Sequence, residues 1–144
     1  MNDVLLNKKV SIERCLHQIS EYRSRPSVIA FENDYLRQDA IAMNLQRACE
    51  LTIDIANHLV KIKKLGLPQD SKDSFALLNR AGIINTEMMT HLQAMVGFRN
   101  ILVHQYATLN LAILVTIIEH RLGELLDFAN TALKTASQSP ISPD

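Results

Sequence analysis

The feature that most constrains the fold is a continuous helical pattern over residues 34–65. No glycine or proline occurs in this stretch, and Gly66 and Pro68 stand just beyond it as stop signals. Apolar residues recur every three or four positions, the period of a helix with one buried face. These positions are Ile41, Leu45, Ala48, Leu51, Ile55, Leu59 and Ile62. Such a helix would be roughly 45 Å long, so we expect it to be the central element of a bundle.

The rest of the chain also favours helices, because the alternating β-branched runs and Asn-Gly or Asp-Gly turns of hairpins are missing. Further helices are predicted over residues 4–22, 74–81, 85 or 86 to about 104, and 110–135. Asp3 and Asp73 are candidate caps for the first helix and the short helix. The sequence therefore predicts an all-α, up-and-down bundle of four main helices plus a short one.

Length and charge limit the kinds of function. The 144 residues suffice for one domain, which we place at residues 1–136, with a disordered tail at 137–144. Lysine plus arginine and aspartate plus glutamate number 15 each, so the formal net charge is zero. A surface that coats nucleic acid usually has a basic excess, since phosphate neutralisation supplies most of the affinity. A small, focused site is therefore more consistent with this chain than a wide basic face.

Several features indicate a soluble, cytoplasmic protein. The first residues lack the apolar stretch and cleavage site of a signal peptide. The most apolar run, residues 109–118, is roughly half as long as a bilayer crossing requires. Cys15 and Cys49 have no CxxC or Cys/His ligand spacing, so we expect two reduced thiols in the core.

Four polar residues interrupt an apolar run in the segment VGFRNILVHQY, residues 96–106. Arg99 and Asn100 are adjacent, followed by His104 and then Tyr106. A guanidinium is a planar fork for phosphate oxygens, and an imidazole carries protons near neutral pH. Asn100 could orient either group. An arginine and a histidine at a helix end can equally well satisfy the last carbonyls of the helix, so these residues alone leave both interpretations open.

Cleavage of RNA without a metal requires this combination of groups. A base takes the proton of the ribose 2′-OH, the oxygen attacks the adjacent phosphorus, a cation stabilises the added charge, and an acid protonates the leaving 5′-oxygen. One histidine per chain is too few for both proton transfers. Arg99 and His104 are also separated by about 140° around an ideal helix. They can converge if the helix ends near His104, or across an isologous homodimer that brings two copies of the motif together.

The segment RNILVHQY, residues 99–106, resembles the Arg-x4-His-x-Tyr signature of the HEPN superfamily, specifically the HepT-like toxins. The preceding MVGF and the stretch QDAIAMNLQRACELTIDIANHLV, residues 38–60, are also similar to that family. The resemblance implies a HEPN-like bundle that dimerises so that two motifs form one RNase cleft acting on mRNA or tRNA. It also implies an MntA-like nucleotidyltransferase antitoxin that transfers AMP from ATP onto Tyr106. Charge and bulk added there would obstruct a cleft that accepts RNA phosphate.

The predicted second helix offers carboxylates that could support the motif. Glu50 and Asp54 are one turn apart, and Arg47 lies a turn before Glu50, so a solvated ion-pair ladder is one interpretation. The other is that one carboxylate orients Arg99 or His104, as a carboxylate behind a catalytic imidazole does, with Asp54 preferred over Glu50. No metal-ligand set is apparent among these carboxylates, so no metal and no cofactor is predicted.

Two other functions remain open. The neutral charge favours a catalytically silent helical module that binds nucleotide or RNA and serves as the partner of a nucleotidyltransferase. A plain dimeric helical adaptor is the second alternative, and it would tolerate alanine at Arg99 and His104. The presence of all four polar motif residues favours the endoribonuclease toxin, because a docking helix has no need of the complete set.

Overall fold

The computed structural model describes residues 2–138, which fold into six α-helices and two short 3₁₀ turns without any β-strand. The α-helices are α1 (Asp3–Ser24), α2 (Tyr35–Ile62), α3 (Ser71–Arg80), α4 (Thr86–His104), α5 (Leu111–His120) and α6 (Gly123–Ser137). The 3₁₀ turns are Phe31–Asn33 and Tyr106–Thr108. The predicted all-α class is confirmed. Ser137, placed by prediction in the tail, is the last residue of α6, and residues 139–144 of that tail lie outside the described residues.

The long helix α2 is the central element, as predicted, and it packs against α1, α3, α4 and α6. Its buried residues form a broad stripe: Ile41, Ala42, Leu45, Ala48, Cys49, Thr52, Ile53, Ile55, Ala56, Leu59 and Val60. Full burial of each large aliphatic side chain contributes about 1.5–3 kcal/mol. Leu51 is only half-buried and Ile62 is 39% exposed, so these two of the predicted inward positions lie at the edge of the stripe.

Two predicted helix starts are corrected by the caps that the structure contains. The side chain of Asn2, not Asp3, caps α1 by accepting the N–H of Leu5 at 3.1 Å. Asp70, not Asp73, caps α3. Asp73 instead accepts the backbone N–H of Gln69, the residue before the cap, at 2.9 Å.

The end of α2 also differs from the prediction. The helix stops at Ile62 rather than at Leu65, and Lys64 takes a left-handed φ of 55°. The N–H of Leu65 then donates to the carbonyl of Val60 at 3.0 Å, the closing bond of a Schellman motif. A lysine therefore takes the position that glycine usually fills, and Gly66 follows with a φ of 122°.

The last helix, predicted to be continuous over residues 110–135, is divided into α5 and α6. At the junction, the N–H groups of Glu124 and Leu125 donate to carbonyls three residues earlier, each at 3.2 Å, which is the tighter 3₁₀ pattern. Gly123 stands at this point, and glycine is a weak helix former. The bundle therefore contains two short helices, α3 and α5, where the sequence predicted one.

The helix α5 is strongly apolar yet poorly buried. Its sequence is LAILVTIIEH, and Leu114 is its one buried residue. Ile113 is 49% exposed. The helix α5, which follows soon after the end of α4, therefore presents an apolar face that residues 2–138 leave uncovered. No helix within residues 2–138 has both the length and the apolar composition needed to cross a membrane.

A single arginine fixes the connection between α1 and α2. The Arg37 side chain is 12% exposed, and its Nε donates to Asp34 Oδ2 at 2.8 Å. Its terminal nitrogens donate to the carbonyls of Arg25 and Ile29, each at 3.3 Å. The backbone N–H of Arg37, followed by its side chain, lowers the pKa of the Asp34 carboxyl below its ordinary value. This network joins the first turn of α2 to the segment that follows α1.

Candidate functional site

The polar motif occupies the end of α4 and the turn that follows. Arg99 and Asn100 lie more than a turn before the terminus, and His104 is the last residue of the helix, as one sequence interpretation required. Tyr106 opens the 3₁₀ turn. Among these four residues, only Tyr106 makes a side-chain hydrogen bond within the described part of the chain. The exposed side chains of Asn100 and His104 are therefore available to contact a ligand or a second chain.

The last turn of α4 is exposed on most of its circumference. Leu102 anchors it in the core, whereas Ile101 and Val103 are 38% and 43% exposed. The His104 side chain is also exposed. These apolar side chains form an exposed apolar patch next to the histidine, and such patches mark binding sites for proteins or ligands.

Arg99 lies between α4 and α2. Its Nη1 is 3.7 Å from Glu50 Oε2, a distance longer than a hydrogen bond, and the two side chains are 22% and 44% exposed. Arg99 Nε is buried and has no hydrogen-bond partner in residues 2–138. A buried donor without a partner costs about 1–3 kcal/mol of stability. The contacts of Arg99 with residues 2–138 therefore leave part of its guanidinium without a hydrogen-bond partner.

Of the two carboxylates predicted to support the motif, the structure brings Glu50 to it and not Asp54. Asp54 Oδ2 lies 3.7 Å from Lys8 Nζ, so this residue joins α2 to α1. One turn separates the two positions, which amounts to about 6 Å along the helix and about 40° around it. That displacement turns Asp54 away from Arg99. The predicted preference for Asp54 is therefore corrected in favour of Glu50.

Tyr106 contacts a residue that the sequence did not place at the site. Its Oη donates a hydrogen bond to Asp39 Oδ1, on the first turns of α2. Desolvation of the hydroxyl, and then the neighbouring Asp39 carboxylate, raise the pKa of Tyr106 well above its ordinary value. Asp39 begins the D-A-I segment that carried part of the family resemblance, but no spacing rule joins it to a tyrosine 67 positions later.

A pocket of about 290 Å³ adjoins this hydrogen bond. It is lined by Tyr35, Gln38, Asp39, Tyr106, Ala107, Leu109, Leu111 and Leu114. A second pocket, of about 350 Å³, lies between α4 and the α5–α6 junction and includes none of the four motif residues. In that region His91 Nδ1 lies 2.8 Å from Glu124 Oε2, so this histidine joins α4 to α6.

The structure confirms the prediction for the two cysteines and does not test the prediction of metal independence. Cys15 and Cys49 are free and buried, which confirms the expected core thiols. Burial raises the pKa of Cys49 to about 12, so its thiol is unreactive at neutral pH. No group of three or more His, Cys, Asp or Glu side chains suited to a metal ion occurs in residues 2–138. Independence from metal ions stays a prediction about the chemistry.

An all-α bundle in which a long central helix faces an Arg-x4-His helix terminus defines a domain of the HEPN class. The model of the Ribonuclease HepT-like family matches residues 12–132 of the chain. The chain therefore belongs to the HepT-like ribonuclease family, which confirms the resemblance drawn from the motif and from residues 38–60.

Individual relatives agree with this assignment. The chain is 43% identical over 128 residues to the mRNA nuclease HepT of Shewanella oneidensis, which covers 89% of this chain and 95% of that protein. It superposes with a TM-score of 0.85 and 41% identity on the tri-AMPylated Shewanella oneidensis HEPN toxin in complex with MNT antitoxin. The superposition covers 94% of this chain and 99% of that toxin chain. A toxin–antitoxin structure with AMP-PNP gives the same TM-score and identity, with coverage of 92% and 99%. These likenesses agree with membership of the HepT-like ribonuclease family.

Proposed function

We propose that this chain is the toxin of a toxin–antitoxin pair and cleaves RNA through Arg99 and His104 in a cleft between two copies of itself. The observation that carries the proposal is the end of α4, where an exposed histidine and an arginine with an unpaired donor lie beside uncovered apolar surface. The mRNA nuclease relative supports RNA as the substrate class, which includes mRNA and tRNA.

Each motif residue has a distinct role in this reaction. His104 of one copy takes the proton of the ribose 2′-OH, and the oxygen forms a bond to phosphorus. His104 of the other copy protonates the 5′-oxygen as its bond to phosphorus breaks. Arg99 places its planar fork on the phosphate oxygens that gain charge, and Glu50 limits the orientations of that fork. Asn100 orients the attacking ribose or the imidazole. No step requires a metal ion.

A second copy of the chain is needed because one motif histidine cannot serve as both base and acid. The apolar side chains left uncovered at the end of α4 and on α5 provide the contact: Ile101, Val103 and Ile113. An isologous contact through this surface would place the two copies of His104 near the two-fold axis. Dimerisation therefore buries apolar surface and completes the catalytic set at the same time.

The partner that controls the toxin is an MntA-type nucleotidyltransferase antitoxin, which transfers AMP from ATP onto Tyr106. The tri-AMPylated relative in complex with its antitoxin supports this assignment. Tyr106 lies two residues beyond His104, at the edge of the proposed cleft. Each added nucleotide brings a negative phosphate and a base to that edge, so RNA would be excluded by charge and by bulk.

The test compares the motif residues with an arginine and a histidine elsewhere in the chain. The chain is expressed without its antitoxin, and growth and cleavage of total RNA by purified protein are measured for Arg99→Ala and His104→Ala. Arg80→Ala and His120→Ala are the controls, since these residues lie outside the motif, at the ends of α3 and α5, and are 71% and 69% exposed. We expect the motif variants to lose cleavage by about 10²–10³-fold and the controls to match the wild type, with or without EDTA.

Two outcomes would contradict the proposal. Motif variants that cleave RNA as fast as the wild type would remove Arg99 and His104 from the reaction. A wild-type protein that leaves RNA intact but binds the antitoxin would instead support the catalytically silent partner of a nucleotidyltransferase.

A further inference from the structure

The hydroxyl of Tyr106 is held by a carboxylate that the RNase reaction does not use. Asp39, near the start of α2, accepts the hydrogen bond of Tyr106 Oη. Asp39 is the one carboxylate among the residues that line the adjoining pocket of about 290 Å³. The fold therefore brings together a carboxylate and a phenol that are 67 positions apart in sequence, beside a pocket with space for a third group.

Transfer of AMP to a tyrosine requires that the phenol lose its proton. Burial and the adjacent negative charge raise the pKa of Tyr106, so the free phenolate is scarce at neutral pH. The proton must then leave while the new bond to phosphorus forms, and a general base in hydrogen-bond contact with the oxygen is the usual means. Such a base contributes typically about 10²–10⁴-fold to the rate.

We propose that Asp39 is the general base for AMP transfer to Tyr106, so that the toxin supplies a catalytic group for its own neutralisation. This inference rests on the proposed function, in which Tyr106 is the acceptor and ATP the donor. Tyr106 Oη forms a bond to the α-phosphorus of ATP, and the bond from that phosphorus to the oxygen bridging to the β-phosphate breaks. Pyrophosphate leaves with the electron pair of that bond, and the phenol proton passes to Asp39 Oδ1.

The pocket gives the α-phosphate a route to the hydroxyl. The pocket is lined by the exposed ring of Tyr35 and by the apolar side chains of Leu109, Leu111 and Leu114. Asp39 is the one anionic residue that lines it. A group that enters this pocket would lie beside both the Tyr106 hydroxyl and the Asp39 carboxylate.

A purely structural role for Asp39 is the competing explanation, in which the hydrogen bond only attaches the 3₁₀ turn to α2. Asp39→Asn separates the two, because the amide oxygen still accepts the hydrogen bond but is a far weaker base. Asp39→Glu restores a carboxylate at nearly the same place. Glu13→Gln is the matched control, since Glu13 is an exposed carboxylate of α1 outside the pocket.

The experiment measures AMP transfer by intact-mass spectrometry, with purified toxin variants, the cognate MntA-type antitoxin and ATP. We expect Asp39→Asn to lower kcat by about 10²-fold, with the KM for toxin and the rate of RNA cleavage unchanged. Asp39→Glu should recover part of kcat, and Glu13→Gln should match the wild type. Tyr106→Phe identifies the acceptor, because it should not be modified.

The outcomes distinguish this inference from the proposed function. If Tyr106→Phe blocks modification but Asp39→Asn is modified at the wild-type rate, Asp39 is not the base and the proposed function stands. If Tyr106→Phe is modified as fast as the wild type, the acceptor is wrong, and this inference falls together with the AMP-transfer part of the proposed function. If Asp39→Asn also loses RNA cleavage and Asp39→Glu recovers nothing, the residue is structural and the inference is wrong.

Discussion

Two arginines in this molecule have opposite surroundings. Arg37, in the α1–α2 connection, uses its donors on a carboxylate and on several backbone carbonyls. Arg99, near the end of α4, makes one loose ion pair with Glu50 and leaves a buried Nε without a partner in the described residues. A guanidinium whose donors are satisfied by the fold stabilises that fold. The Arg99 guanidinium has few such contacts and is 22% exposed, which agrees with its proposed role as the group that binds phosphate.

The regions around the two arginines differ in the same way. The α1–α2 connection is closed by hydrogen bonds, with the Phe31 ring between Arg23 and Arg37 at 4.7 and 5.3 Å from the guanidinium carbons. The end of α4 and the helix α5 leave apolar side chains uncovered. The comparison predicts that changes in the first region alter stability and that changes in the second alter assembly and catalysis.

The largest effect is expected in the open region. Ile113→Asp places a charge on the uncovered face of α5, so we expect the dimer to weaken by at least about tenfold, since burying an unpaired charge is costly. RNA cleavage at low protein concentration should fall in parallel. Analytical ultracentrifugation measures the dimer. Val28→Asp, at a fully exposed position of the α1–α2 connection, is the control. Equal dimerisation by both variants would place the interface elsewhere.

The next effect concerns the closed region. Arg37→Ala removes a largely buried guanidinium and leaves Asp34 and several carbonyls without their partner, so we expect Tm to fall by roughly 5–10 °C. RNA cleavage per folded molecule should be unchanged at a temperature where the variant is folded. Calorimetry and an RNase assay give the two values. A variant with normal Tm and impaired cleavage would reverse the assignment of the two regions.

The smallest effect is a change in acid sensitivity. Arg37 lowers the pKa of Asp34 below 3.8, so the ionised carboxylate stabilises the fold above that pH and this contribution is lost as pH falls through the folded-state pKa. Asp34→Asn keeps a capping oxygen but has no charge to titrate. The drop in Tm between pH 7 and about pH 3 should therefore be smaller in the variant. Equal drops would mean that this ion pair contributes little.

Much of the fold was predictable because it depends on local signals. The starts of α2, α4 and α5 at the caps Asp34, Asn85 and Asn110 follow from side chains that accept nearby N–H groups. The break between α5 and α6 was missed, since the apolar pattern continues through it and only Gly123 hints at it. The cap errors at Asp3 and Asp73 have a similar origin, because neighbouring polar residues compete for one capping position.

The candidate site was predictable only in part. The motif residues and their place at a helix end follow from spacing along one helix, which is a local property. The contacts of Arg99 with Glu50 and of Tyr106 with Asp39 join α2 to residues 49 and 67 positions away. Such contacts depend on how the helices rotate and slide against each other. The prediction preferred Asp54, whereas the carboxylate beside Arg99 is Glu50, one turn earlier on α2.

Local signals in the sequence specify the helical class, the central position of α2 and the polar residues of the motif, because hydrophobic period and capping act over a few residues. Three features depend on contacts between distant segments: the carboxylate that lies beside Arg99, the hydrogen bond of Tyr106 to Asp39, and the exposed apolar face of α5. These features arise from packing between distant segments. Packing is set by the shapes of all the contacting side chains together, which no local pattern encodes.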